Sequence, residues 1–506
     1  MASAAGPIQK DTPHVVDVQP GNPGDELGER VNRGLRFAAL NQVINRIFTF
    51  GSGVVVLRVL SVRDVGTYAL ALAIVTLVIA VNELGLIPTI IRWEDNPEHA
   101  ARTAYTLVLV SSLIWYVAIF FTAPVLASAF GNGEVTGVLR VLGLTVLIDG
   151  CSSMPAAFLN RGFHQDRMAV AESSSMVVQI AVTIGLALWG AGPYALAWGQ
   201  VTSNGVAVIF MILLVQHRSR PGWHRPHVGP LLRFGSPIAG GALMREGAVN
   251  VDGLVVGGVL GSIPLGFYQL AFNLGSLPQN TIGATLTRVL YAGFARLQGD
   301  KERFDNGVRR ATALIVAGTV PMVVLIAALA EPIVQFLYGD KWDQAIPVLR
   351  LLVILGGMRV LLNALLDIIV ADGRPRHLFA LYGVWLAAVV PALFIGAEMG
   401  GIAGVAVAHL VVAVGIVLPL VLWAIHTGGI DAYAMVRTFI RPLVAGAVAL
   451  VVAYLPTMLS IDQFFQLAIG GTAGVIAYAA ILLPRNPLIK LPLDKLKRRR
   501  PVEAPV

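Results

Sequence analysis

The residues able to do chemistry sit where charge is most costly, inside long apolar runs. Arg46, Arg245 and Arg359 each interrupt such a run, and so do Asp149, Asp252 and Asp367. Amides gather with them. Asn41, Gln42, Asn45, Arg46, Thr49 and Ser52 fall on one broad side of a helix. Gln269, Asn273, Ser276 and Asn280 are tighter, within about 60° of one another at 100° per residue. Arg245 and Asp252 share a face, with Asn250 between them and Glu246 beside them. Guanidinium groups in hydrocarbon attract anions, amides hydrogen-bond uncharged polar groups, and acids exchange cations. Amides also glue helices, and a buried acid beside an arginine also makes a neutral pair. Convergence of the whole set on one cavity is what favours binding over glue.

These side chains need a membrane fold to hold them. The chain has 506 residues, 56% hydrophobic and only 13% charged, and its mean hydropathy is +0.74. Soluble domains carry about 25% charged residues. With roughly 20 apolar residues needed per crossing, fourteen stretches qualify between Gly34 and Leu483. Their length and lack of alternation exclude strands. The expected architecture is an all-α polytopic membrane protein.

The basic residues orient it. Arg46, Arg245 and Arg359 lie within spans, and only Arg58, Arg63, Arg140, Lys341 and Arg350 fall on one side. The rest of the 37 Lys and Arg fall on the other. The positive-inside rule places both termini in the cytoplasm. Residues 1–33 read as a disordered cytoplasmic tail without an apolar signal region, and 485–506 as a basic cytoplasmic tail that includes Lys497-Arg498-Arg499-Arg500. The net charge of +8 is scattered between spans, which argues against nucleic acid. Cys151 is the only cysteine, so no disulfide or zinc site can be built from it. No paired-carboxylate, HExxH, nucleophile-elbow or P-loop pattern is present, so an enzyme is not expected.

The chain repeats itself. Leu35-Arg36-Phe37 returns as Leu232-Arg233-Phe234. Val59-Leu60, Gly66, Tyr68 and Leu70-Ala71 return as Val259-Leu260, Gly266, Tyr268 and Leu270-Ala271. Val138-Leu139-Arg140 returns as Val348-Leu349-Arg350. Two six-helix lobes follow, at 34–216 and 231–425, joined by a cytoplasmic linker at 217–230. Two appended helices lie at 426–484. An even number of crossings per unit makes the repeats parallel, with a pathway at their interface. Arg46 and Arg245 stand at equivalent places in the first helix of each lobe.

Leu60-Ser61-Val62-Arg63-Asp64-Val65-Gly66-Thr67-Tyr68-Ala69-Leu70-Ala71 resembles the first loop and second helix of bacterial polysaccharide flippases. These form the polysaccharide transporter branch of the multidrug/oligosaccharidyl-lipid/polysaccharide exporter superfamily. Glu83-Leu84-Gly85-Leu86, Leu159-Asn160-Arg161, Ala330-Glu331-Pro332, Phe336-Leu337-Tyr338-Gly339, Trp342 and Gly373-Arg374-Pro375 extend the likeness from about Gly34 to Ile425. The resemblance implies a V-shaped transporter working by alternating access, with helices 1, 2, 7 and 8 lining its cavity. It implies a cargo of polyprenyl-diphosphate-linked oligosaccharide, moved across the cytoplasmic membrane for surface polysaccharide biosynthesis. Membrane lipids and the polysaccharide polymerase machinery are the implied partners. Under this reading Arg46 and Arg245 hold the diphosphate, and Asn41, Asn45, Gln269, Asn273 and Asn280 hold sugar. Asp252, Asp149 and Asp367 are the candidates for coupling to H+ or Na+, and no other cofactor is expected. The alternatives are a cation-coupled drug or metabolite exporter of the same superfamily, and a membrane-bound polysaccharide polymerase or ligase.

Overall fold

A computed structural model describes residues 48–91, 97–162, 164–215, 220–283, 301–371, 374 and 376–482. Among these residues the chain is helical throughout, without strands. The first half comprises α1 (Phe48–Val59), α2 (Val62–Asn82), α3 (Leu86–Ile91), α4 (Pro97–Ala129), α5 (Glu134–Arg161), α6 (Gln165–Leu188) and α7 (Pro193–Leu214). The second half comprises α8 (Arg225–Val255), α9 (Ser262–Gly275), α10 (Lys301–Ala328), α11 (Ala330–Tyr338), α12 (Ala345–Ala371), α13 (Arg376–Val412) and α14 (Leu418–Thr427). Short α15 (Ala432–Arg437) leads to α16 (Ile440–Tyr454) and α17 (Gln463–Leu482).

Among the described residues, ten helical segments are long and apolar enough to cross a membrane. One of them, Ala380–Thr427, has 48 residues, length enough for two crossings. The chain folds back at Gly400-Gly401, where Gly401 has φ +56°, and the backbones of Gly396 and Gly404 touch. α8 is absent from the ten, because Arg245, Glu246 and Asp252 dilute its hydropathy. It is shielded instead by α2, α3, α4 and α13.

The second expected span, Tyr68–Ile91, differs in form. Its helix starts earlier, at Val62, because Ser61 and Asp64 make a reciprocal capping box. It also breaks at Glu83–Gly85, where Leu84 and Gly85 have φ of 49° and 64°. That break lets the Gly85 backbone lie against Gly235 of α8, where a Cβ would overlap the Gly235 carbonyl. α16 and α17 pack on α10 and against each other. Gly470 and Gly474, four residues apart, face Ala453 and Ala449, the small-residue packing typical of helices in lipid.

Candidate functional site

The two glycines matched by the internal repeat meet. A Cβ on Gly66 would overlap the Ser262 carbonyl, and one on Gly266 would overlap that of Val62. α2 and α9 therefore cross in backbone contact at one end. At the other end α2 meets α8 through Gly85 and Gly235. Between these contacts lies a cavity of about 70 Å³, walled by Ala69, Leu72, Ala73 and Thr76 of α2, by Asn250, Asp252 and Gly253 of α8, and by Tyr268, Gln269 and Phe272 of α9. Small residues on α2 leave the space, and polar residues on α8 and α9 line it.

Asp252 is the hub of its wall. The side chain is buried, yet it borders the cavity. Tyr268 Oη donates to its Oδ2 at 2.8 Å, and the Gly253 N–H donates to its Oδ1 at 2.9 Å. Behind it stand two basic groups. Arg359 of α12 lies 3.9 Å from Oδ2, and His409 Nδ1 of α13 lies 3.6 Å away. Arg359 Nη2 also faces His409 Nε2 at 3.4 Å, and its guanidinium lies 5.2 Å from the centre of the Phe272 ring. Trp385 sets its ring edge-on to His409 at 6.5 Å. One carboxylate thus gathers α8, α9, α12 and α13 into one electrostatic unit. Breaking such a buried pair by removing one partner costs about 3–5 kcal/mol.

The first half has its own polar knot. Asn82 donates to Asp149 Oδ2 at 3.3 Å and accepts from Ser112 Oγ at 3.1 Å, next to Glu83 at the break in α2. By the repeat offset of Arg140 and Arg350, Asp149 on α5 and Arg359 on α12 occupy equivalent positions.

The predicted residues distribute as follows. Asn41, Asn45 and Arg46 lie outside the described residues. Asp252 and Gln269 line the cavity. Gln269 donates to Asn273 at 3.1 Å, and Asn273 and Asn280 are exposed. Arg245 does not line this cavity; it pairs with Glu246 at 2.9 Å, with its own side chain 60% exposed. Asp149 belongs to the Asn82 knot, and Asp367 is half-buried on α12. The expectation did not assign a site role to Tyr268, Arg359 or His409. The signal was present, since an acid within a span demands a countercharge and His409 is the sole ionisable group of its span.

At the α2–α9 end the halves are also tied by helix termini. Lys341 Nζ donates to the carbonyls of Arg58 and Leu60, each at 2.8 Å, and Trp342 Nε1 donates to that of Leu57 at 3.2 Å. These carbonyls end α1. In return, Arg58 donates to Leu337 O at 2.6 Å and to Phe336 O, at the end of α11. Each helix C-terminus is thus capped by a cation from the other half, where the helix dipole favours positive charge. Asn132 adds bonds to Thr67 Oγ1 at 2.9 Å and Ser262 Oγ at 2.7 Å.

Helices of this length around a small polar cavity, with contacts between the halves at both ends of it, define a polytopic membrane transporter. The fold is that of lipid II flippase MurJ in an inward closed conformation, with TM-score 0.72 at 14% identity over 88% of this chain and 97% of that one. It is also that of an inward-facing multidrug resistance MATE family transporter, with TM-score 0.61 at 18% identity over 78% and 96%. The chain belongs to the polysaccharide biosynthesis protein family, whose profile matches residues 55–347. Among relatives, it is 25% identical to the succinoglycan biosynthesis transport protein ExoT of Rhizobium meliloti, over 92% of this chain and 96% of that one. It is 23% identical to the lipopolysaccharide biosynthesis protein WzxC of Escherichia coli, over 77% and 79%. It is likewise 23% identical to the teichuronic acid biosynthesis protein TuaB of Bacillus subtilis, over 83% and 87%.

Proposed function

We infer that this chain is a flippase of the cell membrane, not an enzyme. It moves polyprenyl-diphosphate-linked oligosaccharide repeat units for surface polysaccharide biosynthesis, by alternating access. The carrying observation is the polar cavity between two duplicated halves of a family member, bounded at each end by a contact between them. A sugar head group needs hydrogen-bonding walls while it crosses, and Asn250, Gln269 and Thr76 supply them. Arg46 and Arg245 are the groups we assign to the diphosphate, Asn41, Asn45, Asn273 and Asn280 those we assign to sugar, and Asp149 and Asp367 remain candidates beside Asp252 for ion coupling. In this reading the pair of Arg245 with Glu246 exchanges for the phosphate oxygens when cargo enters. We place both termini in the cytoplasm, on the distribution of basic residues, which puts the Lys341 contact on the outer side and the Gly85 contact on the inner side.

The test is reconstitution of the full chain in proteoliposomes with an undecaprenyl-diphosphate oligosaccharide labelled on its sugar. Protein-dependent exposure of label to an added lectin supports the reading. Transport of organic cations without movement of the lipid-linked sugar would transfer the chain to the drug-exporter alternative.

A further inference from the structure

We propose that His409 is a proton-binding site, and that a proton taken up there displaces Arg359 from the imidazole, making the second half of this transporter responsive to protons and not to sodium. The role in transport rests on the flippase reading above; the proton site itself stands on the cluster around Asp252.

Arg359 has only N–H donors, so its 3.4 Å approach to His409 Nε2 requires that nitrogen to be an unprotonated acceptor. The ring proton then sits on Nδ1, facing Asp252 Oδ2 at 3.6 Å. The cluster holds one anion, Asp252, and one cation, Arg359, and is neutral. A proton added at Nε2 gives an imidazolium with two N–H groups. One of them now points at the guanidinium, whose acceptor has gone. The cluster charge rises from zero to plus one around a single carboxylate. Arg359 and the imidazolium then compete for Oδ2, and the better placed Nδ1–H holds it.

The cluster is also incompletely satisfied. Arg359 Nε and Trp385 Nε1 are both buried without a hydrogen-bond partner, and the His409 Nδ1 contact with Asp252 is long at 3.6 Å. Buried donors of this kind are rare and call for an explanation. A site that alternates between two bonding arrangements leaves donors unmatched in each. A purely structural ion pair would have closed them.

α8 passes into a π-helical turn at Val256–Leu260, one turn beyond Asp252, and α13 passes into another at Ala413–Val417, one turn beyond His409. Such turns occur often at functional sites, where they make helix register adjustable. Here they flank both residues of the carboxylate–imidazole pair.

Sodium is disfavoured by the same geometry. Every named neighbour of the carboxylate is a donor: Tyr268 O–H, the Gly253 N–H, Arg359 and the His409 Nδ1–H. A metal cation needs oxygen lone pairs there and would meet hydrogens. The groups facing His409 are Asp252 from α8, Tyr268 from α9 through Asp252, Arg359 from α12 and the uncharged Trp385 from α13. His426 of α14 lies exposed at that helix's far end. Asp252 borders the cavity, so the cluster adjoins it.

Trp385 provides a readout independent of cargo, because an imidazolium quenches an adjacent indole and a neutral imidazole does so weakly. The full-length protein in lipid nanodiscs is titrated between about pH 5 and pH 8, and the Trp385 component is taken as the difference from Trp385→Phe. The expected result is a single-proton quench on acidification that His409→Gln abolishes. Arg359→Gln removes the competing cation and moves the midpoint up by about 1–3 pH units. Exchange of sodium for choline leaves the curve unchanged. A flat wild-type titration overturns the proposal and needs no variant. So does a pH-dependent component that survives in a monodisperse His409→Gln protein, or a sodium-dependent one. None of these measurements involves cargo, so their failure leaves the flippase reading standing. Failure of the lectin assay alone would leave the proton site standing.

Discussion

Lys341→Met tests whether the exchanged helix caps act as a latch. The substitution keeps the aliphatic stem and removes two charge-assisted bonds, to Arg58 O and Leu60 O. Lys341 is exposed, and the freed carbonyls become accessible to water as the halves part. The full penalty for unsatisfied buried groups therefore does not apply. Each bond is worth about 0.5–1 kcal/mol in that setting. Their loss costs the closed arrangement about 1–2 kcal/mol, which raises the population of the parted end about 5- to 30-fold. Spin labels at Gly133→Cys and Gln344→Cys, both exposed and on opposite halves, report the separation by pulsed electron resonance. Cys151, the only native cysteine, is replaced by Ser. The expected result is a longer-distance population that grows in Lys341→Met. An unchanged distance distribution would refute the latch, since the parted state would then owe nothing to these caps.

Three further outcomes follow from the same geometry. Gly66→Ala, like Gly266→Ala, drives a methyl group into a carbonyl of the facing half; each should cost the closed end about 1–3 kcal/mol and lengthen the same label distance. Gly85→Ala places a side chain at φ +64° against the Gly235 carbonyl; the conformational cost alone is about 1–2 kcal/mol, and labels across α2 and α8 should separate at that end instead. Arg245→Ala should abolish complementation of a flippase-deficient strain while the protein level in the membrane fraction stays normal; full complementation would remove Arg245 from the diphosphate assignment.

Much of the scaffold was legible because lipid imposes simple rules. Apolar length marked most of the long helices among the described residues, and Gly66 and Gly266, matched as letters, proved to be neighbours in space. The break at Glu83–Gly85 was not legible as a break. It depends on the approach of Gly235 from another helix, which no local pattern encodes. The site divided in the same way. Asp252 and Gln269 announced themselves as polar residues in apolar runs, and both reached the cavity. Arg245 shares a helix face with Asp252, but its ion pair with adjacent Glu246 turns it elsewhere. Arg359 and His409 were visible as charges, yet their convergence on Asp252 depends on how α8, α12 and α13 pack. Sequence spacing carries no information about that.

Asp149 and Arg359 stand at equivalent positions of the repeat and carry opposite signs. A transporter assembled from two copies of a gene begins as an electrostatic mirror of itself; this one no longer is. On one side stands an acid held by an amide, and on the other an arginine already paired with a carboxylate.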